Sequence, residues 1–486
     1  MQRPGSNLYR KAVNVIAQGE DASTRRAVDK ALVHFKKARA LFAGPILSRD
    51  PRSQFHLFWI SFLQADCLHH SGRLHEALVD YDAARALLRL PALVLSEQLG
   101  GARPGLEMNR GLCLSDLEEF EEALTAFHAA TEMHRLPHLA SRPELDEDRA
   151  RLAMNLGVCL GRVERFQDAL DAYDQAASLL RLPHLVEKPE LDVSRARLAV
   201  NRGACFVDLG NMEEARVAYD EAKRLHMMSH LVERMDLARD RAILAEYRGI
   251  CFTYLGLLRV ALEEFDVALA LYDSGENLGQ PGLDAGRARL WMHRGICLGN
   301  NGRTQEALDA YRSAISLHRL PHLSDRPEFD SFRSLLMLNF GIGLGKLGML
   351  SEANEAFEAS SVLLSLPHLS QRPELDRFRA LLAQNQVNSF TQLGWIEEGL
   401  SAYNMAFGLY RLPHLSGPEL DLNRANLLMN GGVLLYSLGL ALEALKRYKG
   451  AFDLHHLPHL AERTELDQER AALGLNRGNC LVILVF

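Results

Sequence analysis

Apolar residues fall at the spacing of an amphipathic helix twice within each block of about 46 residues. In residues 144–189, Leu156 and Leu160 belong to a first apolar stripe, and Ala169 and Tyr173 belong to a second. Residues three or four apart lie on one face of an α-helix, so each stripe predicts a helix with one buried side. A polar turn separates the stripes. Each block therefore predicts a pair of antiparallel helices.

The blocks repeat at a fixed period. The Leu of a Pro-Glu-Leu-Asp motif, or its equivalent, recurs in steps of 46 residues with one step of 45, at Leu145, Leu191, Leu237, Leu283, Phe329, Leu375, Leu420 and Leu466. Such a period is typical of a solenoid, in which each unit buries its apolar side against the next one. The sequence therefore predicts an all-α solenoid of about nine helical hairpins.

Turn and capping residues mark the ends of the predicted helices. Pro143 and the acidic residues behind it suit a helix N-terminus. Asp146 and Arg149 are three apart, a spacing that permits a salt bridge, and the pair recurs in most repeats. Between the two helices, most repeats carry a glycine suited to a left-handed helix stop: Gly72, Gly210, Gly256, Gly302, Gly348, Gly394 and Gly439.

The order of small and aromatic residues resembles a known repeat. Within residues 150–183 it is Gly157, Leu160, Phe166, Ala169, Tyr173, Ala176 and Pro183. This order resembles the tetratricopeptide repeat, whose unit is 34 residues, and the likeness extends from about Asp29 to the C-terminus. The extra dozen residues lengthen the first helix and its preceding loop, much as in the longer repeats of kinesin light chain. The resemblance implies a right-handed superhelix with a concave groove lined by first helices.

The two ends of the chain differ from the middle. Residues 1–50 predict a degenerate N-terminal repeat or cap, 51–464 the regular solenoid, and 465–486 a final first helix without its second helix, as in a truncated repeat. That last helix ends on an apolar patch that includes Leu481, Ile483, Leu484 and Phe486. An exposed patch of this kind predicts self-association, or cover by a partner.

Charge and hydropathy limit the classes of partner that the sequence predicts. The net charge is −7 over 486 residues and forms no block, which argues against nucleic acid. Residues 1–17 contain charges and no apolar core, so no signal peptide is expected. The longest apolar run, residues 480–486, is too short to span a bilayer. The expectation is a cytoplasmic protein without a membrane partner.

The cysteines share one repeat position. They are Cys67, Cys113, Cys159, Cys205, Cys251, Cys297 and Cys480, and other repeats carry Gly343, Ser389 or Leu434 there. Neighbouring packed helices lie about 8–10 Å apart, which exceeds the roughly 7 Å limit between the Cα atoms of a disulfide. The cysteines are interpreted as small buried hydrophobes, with a metal or redox stack as the alternative.

A histidine recurs in the linker between repeats, for example His184 and His322. Some copies have a companion histidine four residues earlier, as His322 has His318. Two histidines at this spacing on one helix face suggest a zinc site. A proline intervenes in all such pairs except His226 and His230, which places the second histidine outside the helix. Loop packing or capping is therefore preferred, and no metal site is predicted.

An asparagine recurs in the middle of the first helix, at Asn109, Asn155, Asn201, Asn339, Asn385, Asn430 and Asn476. Asparagine is a mediocre helix former, so its recurrence needs a reason. Its amide offers a donor and an acceptor that match an extended peptide backbone. In tetratricopeptide-repeat proteins such as O-GlcNAc transferase and kinesin light chain, asparagine at this position clamps peptide backbone, and the resemblance implies that role here. The alternative is a bond to the adjacent repeat, or simple inheritance.

This asparagine row is interrupted at Tyr247 and His293, and Trp291 stands nearby. The same region lacks the usual Leu-Pro-His-Leu linker. Divergence is expected where a repeat has decayed. The three side chains are alternatively anchors that read a partner's side chains, because aromatic residues dominate such contacts.

No stretch outside the repeats is long enough for a catalytic domain, and no phosphate-binding loop is present. The sequence therefore predicts no enzyme and no cofactor. It favours a non-enzymatic scaffold or adaptor that binds a peptide or protein segment in its groove. Two alternatives are a regulatory subunit that holds a separate effector enzyme, such as a protease, and a structural protein that assembles with itself.

Overall fold

The structure, a computed structural model, describes residues 4–24, 27–50, 52–94, 96, 99–274 and 281–485. Its long elements are all α-helices, and no strand occurs in those ranges. The chain divides into two compact units, residues 1–234 and residues 235–486, which are described separately. The predicted all-α solenoid of paired helices is confirmed. The boundaries predicted at residues 50 and 464 stay a prediction.

The helices of unit 1 are α1 (Pro4–Thr24), α2 (Val28–Ala43), α3 (Ser53–His70), α4 (Leu74–Leu87), α5 (Ala102–Asp116), α6 (Phe120–His134), α7 (Asp146–Arg162), α8 (Phe166–Leu180), α9 (Asp192–Asp208) and α10 (Met212–His226). Those of unit 2 are α11 (Ala238–Tyr254), α12 (Leu258–Tyr272), α13 (Asp284–Asn300), α14 (Thr304–His318), α15 (Asp330–Lys346), α16 (Leu350–Leu364), α17 (Asp376–Leu393), α18 (Ile396–Leu409), α19 (Asp421–Ser437), α20 (Ala441–His455) and α21 (Asp467–Val485). Odd-numbered helices are the first helices of their repeats, and even-numbered helices are the second.

The linkers between repeats are ordered rather than irregular. After α8, the single-turn helix Pro183–Val186 leads into the 3-10 turn Pro189–Leu191, and α9 begins directly afterwards at Asp192. Leu185 and Leu191 of this linker are buried. Proline fixes the backbone at the first position of both short elements, so the extra residues of the long repeat form a packed connection.

The turn inside each repeat has a left-handed residue where the sequence predicts one. The seven turn glycines have φ between 72° and 80°. Among the repeats whose turn the structure describes, two lack the glycine, and there Glu118 (φ 63°) and Glu164 (φ 60°) adopt the same conformation. The packing of the two helices therefore sets the turn geometry, and glycine adopts this backbone conformation with less strain than other residues.

A glycine on the first helix receives the aromatic ring of the second helix. A Cβ atom added at Gly157 would lie 2.4 Å from Cε1 of Tyr173, and one added at Gly203 would lie 2.4 Å from Cε1 of Tyr219. Both rings are almost fully buried. The repeat motif of glycine and aromatic residue is thus a steric match between the two helices of one hairpin.

All seven cysteines are buried and carry free thiols, which confirms their interpretation as small core residues. Burial raises the pKa of Cys113 and of Cys205 to about 11. Sγ of Cys113 donates to the carbonyl oxygen of Leu74 at 3.3 Å, at the start of the preceding second helix. Such thiols are protonated and shielded, so they pack and do not react.

Candidate binding face on the first helices

The first helices line the inner side of each unit. Consecutive first helices contact one another, as α7 does with α9 and α17 with α19. Consecutive second helices make at most marginal contacts among the described residues. Because neighbours come closest on the inside of a curved stack, the first helices form the concave side.

The solvent-accessible stripe of these helices is called the inner face. On α7 it consists of Asp148, Arg151, Asn155, Val158 and Arg162, which are exposed or half-buried and recur at helical spacing. On the other first helices, the inner face consists of the same repeat positions.

The seven asparagines of the predicted row all lie on the inner face, and all are half-buried. Nδ2 of Asn339 donates to the carbonyl oxygen of Leu335 at 2.9 Å, and Nδ2 of Asn385 donates to that of Leu381 at 2.8 Å. Each of these amides keeps a second N–H and a carbonyl oxygen that the bond to its own helix does not use.

Asn109 has a different environment from the other members of the row. Its Nδ2 donates to Oδ1 of Asp66 on the preceding first helix at 2.9 Å, and the hydroxyl of Tyr81 donates to the same oxygen at 2.6 Å. Burial raises the pKa of Asp66 against the effect of these two hydrogen bonds. At this end of the row, the amide therefore joins neighbouring repeats.

An ion pair between a buried glutamate and a half-exposed arginine occupies the interruption of the row in unit 2. The side chain of Glu246 on α11 is completely buried. From α13, Arg289 donates to it twice, from Nε to Oε1 at 2.7 Å and from Nη2 to Oε2 at 2.9 Å. Nε2 of His293 lies 3.9 Å from Oε1 of the same carboxylate. Burial lowers the pKa of His293, although Glu246 opposes the shift, so the imidazole is neutral at pH 7.

The three candidate anchors of this region do not lie together. Tyr247 and His293 occupy the row position on α11 and α13, and both are half-buried. Trp291 is two residues from His293, which places it on the far side of α13. There it packs against the core, under the guanidinium group of Arg294 at 5.6 Å, and Arg294 pairs with Asp266 of α12.

The linker histidines form a network that the sequence did not predict. Nε2 of His230 lies 3.0 Å from Oδ2 of Asp192, the first residue of α9 in the same repeat. Oδ1 of that carboxylate accepts from Arg195 at 2.6 Å, and Arg195 also donates to the carbonyl oxygen of Leu185 in the preceding linker. The same pairing occurs as His184–Asp146, His322–Asp284, His368–Asp330, His414–Asp376 and His459–Asp421. One aspartate thus contacts the histidine of the linker after its repeat directly and the linker before its repeat through the arginine.

The companion histidines His134, His226, His318 and His455 are buried in the core. His318 is buried against Phe332 and Phe329, at ring-centroid distances of 5.0 and 5.7 Å, and neither ring nitrogen has a hydrogen-bond partner among the described residues. Burial and the nearby Arg333 lower the pKa of His318 to about 4. Three sister repeats carry leucine at this position: Leu88, Leu180 and Leu364.

His318 predicts a loss of stability in mild acid. Its pKa is about 4 in the folded chain and about 6.5 when unfolded, so the unfolded state binds more protons between these values. Between pH 7 and pH 4, we expect the free energy of unfolding of the parent protein to fall by about 1–2 kcal/mol more than that of the His318→Leu variant. Urea unfolding at several pH values measures this difference. The exposed His128→Leu variant serves as a control that should follow the parent curve, and an unchanged pH slope in His318→Leu would contradict the prediction.

In the described part of the chain, His, Cys, Asp and Glu side chains nowhere gather in a group of three that could hold a metal ion. None of the helices there combines the length and the hydropathy needed to cross a bilayer.

Residues 109–181 and 254–321 match a family model described as tetratricopeptide repeat. A comparison with curated proteins gave no match. Among solved structures, the chain is similar to the apo form of RapI, with a TM-score of 0.55 and 12 % identity, over 82 % of this chain and 97 % of RapI. Two weaker similarities are a Rap protein complexed with competence and sporulation factor (TM-score 0.49, 16 % identity, 84 % and 99 % coverage) and PilF of Pseudomonas aeruginosa (0.37, 18 %, 58 % and 99 %).

The fold and the matched repeats define an α-solenoid of helical hairpins, a class made up generally of interaction proteins without catalytic activity. Two segments of the chain, residues 109–181 and 254–321, are thus identified as tetratricopeptide repeats.

Proposed function

We propose that the protein is a non-enzymatic scaffold that binds an extended polypeptide segment against the inner face of its first helices. The observation that carries the proposal is the row of half-buried asparagines on that face. A peptide backbone presents one donor and one acceptor per residue, and a side-chain amide matches both. In unit 2, four such contacts from Asn339, Asn385, Asn430 and Asn476, at a net 0.5–1.5 kcal/mol each, would contribute about 2–6 kcal/mol before ordering costs.

The proposal predicts that paired substitutions in the row weaken peptide binding without unfolding the chain. Two variants test it, Asn155→Ala with Asn201→Ala in unit 1 and Asn339→Ala with Asn385→Ala in unit 2. For the unit that binds, the loss of two hydrogen bonds should lower the affinity about 5- to 100-fold. Fluorescence anisotropy with the full chain and a labelled pool of random ten-residue peptides measures the change.

The matched control combines Gln175→Ala with Asn404→Ala, because both side chains are exposed on second helices. This control should bind as the parent does, and all variants should keep the parent's helical circular dichroism. If the pool binds both row variants as tightly as it binds the parent protein, the inner face is not the binding site.

Self-association through residues 481–486 also stays a prediction. Leu481, Val482, Ile483 and Leu484 on α21 are between 46 % and 57 % exposed, which is high for four consecutive apolar residues. Phe486 lies outside the described residues.

A further inference from the structure

Three consecutive first helices of unit 2 carry little charge on the inner face: α17 and α19 have none there, and α15 has only Lys346, one helical turn beyond Ile342. Apart from Lys346, and from Arg377, which stands outside the inner-face positions, each of α15, α17 and α19 carries a single charged residue after its opening aspartate. Those residues, Arg333, Arg379 and Arg424, are tied to the opening aspartate and to a carbonyl oxygen of the preceding linker. They therefore belong to the linker network and do not present charge to a ligand.

The other first helices differ at the same repeat positions. The inner face of α7 carries Asp148, Arg151 and Arg162, and that of α9 carries Arg197 and Asp208. On α13, Arg289 stands at the position of Arg151 and Arg197. The low charge of the inner face is thus a property of three adjacent repeats and not of the repeat family as a whole.

Apolar side chains replace the charges on these helices. Leu335 of α15 and Leu381 of α17 stand at the position of Arg151, and Phe332 and Phe378 stand at the position of Asp148. All four are half-buried, and they pack on the core from the inner face. Each therefore keeps some apolar surface in contact with water, which an apolar ligand group would cover.

Side-chain amides accompany the apolar residues. Asn339, Asn385 and Asn430 continue the row, and Asn388 and Asn426 add amides one helical turn away on the same face. Oδ1 of Asn426 is buried and has no hydrogen-bond partner among the described residues. A buried acceptor without a donor is costly, and a ligand N–H would satisfy it.

We infer that the inner face of α17, of α19 and of α15 up to Ile342, called the uncharged inner face, selects an extended polypeptide segment that has no charged side chain. The inference rests on the proposed function and adds its specificity. Amides pair with the ligand backbone, while phenylalanine and leucine contact its side chains. A ligand charge would lose water against this surface and find no counter-charge, so charged segments are rejected. Three helices about 10 Å apart span about 20 Å, or about six residues of extended chain.

Three peptide pools and a reciprocal substitution test this inference on the full chain. The first is a fluorescein-labelled pool of acetylated, amidated ten-residue peptides made of Ala, Leu, Ser, Thr and Asn. Two matched pools carry one central Asp or one central Lys. We expect the Asp and Lys pools to bind at least 10-fold more weakly than the uncharged pool.

The substitution Leu381→Arg introduces the residue that sister repeats already carry at this position, so the fold should accept it. This variant should lose at least 10-fold in affinity for the uncharged pool and should gain affinity for the Asp pool. The control Arg197→Leu, at the same position in unit 1, should leave binding of the uncharged pool unchanged.

The outcomes separate the inference from the proposed function. Equal binding of all three pools, weakened together by Asn339→Ala with Asn385→Ala, would overturn the specificity and leave the function in place. Preference for a charged pool would overturn it as well. Failure of every pool to bind the parent would reject both. A dimer of the chain alone that Leu381→Arg dissociates would make a second copy the occupant, which also overturns the inference.

Discussion

Replacement of Arg289 by alanine is expected to lower the free energy of unfolding of unit 2 by about 3 kcal/mol. Glu246 is completely buried, and Arg289 supplies two of its hydrogen bonds from the next repeat. Removal of the guanidinium leaves a buried carboxylate that must either stay unpaired or take up a proton, and both are costly. Urea unfolding measures the total effect, and hydrogen exchange in α11 and α13 locates it.

A surface pair provides the control for this prediction. Arg294 pairs with Asp266, whose side chain is 60 % exposed, so Arg294→Ala should cost at most about 1 kcal/mol. The double change Glu246→Met with Arg289→Leu places in both positions residues that sister repeats carry, such as Met292 and Leu335. It should be within about 1 kcal/mol of the parent, because no buried charge remains. A double variant as unstable as Arg289→Ala would contradict the assignment of the loss to the unpaired carboxylate.

The substitution Gly157→Val is expected to cost about 3 kcal/mol through overpacking. Its Cβ would lie within 3 Å of three atoms of the Tyr173 ring, and that ring is almost fully buried. One repeat carries a valine, Val387, at the position of Gly157. Its aromatic residue, Tyr403, is the counterpart of Tyr173 and lies against Gly431 of the next first helix instead, which leaves room for the valine. Tyr173 has Arg202 where Tyr403 has Gly431, so its ring has no such space.

Thermal unfolding followed by circular dichroism tests this prediction. Gly345→Ala is the matched control, since nothing lies within 4 Å of the added Cβ, and it should be neutral or stabilise by up to about 1 kcal/mol. Combining Gly157→Val with Arg202→Gly should recover part of the lost stability. Equal stability of Gly157→Val and the parent would show that the ring and the glycine do not constrain each other.

The inner face was only partly predictable from the sequence. The asparagine row could be found because its members share one repeat position, and the structure places all seven on the accessible side. The bond between Asn109 and Asp66 could not be found, because Asp66 occurs in one repeat only. Glu246 left a signal, since it replaces an apolar residue of the sister repeats, but nothing in the spacing indicated Arg289 as its partner.

The sequence by itself determined the helical hairpins, their period, the left-handed turn residue and the burial of the cysteines. These features follow from spacing within one repeat, where the geometry of a single helix relates positions three or four residues apart. Only the tertiary structure decided which side chains meet between repeats, such as Arg289 with Glu246 and Tyr403 with Gly431. Such contacts depend on how one helix is rotated and shifted against another, and residues 28 to 43 positions apart carry no periodic mark of that arrangement.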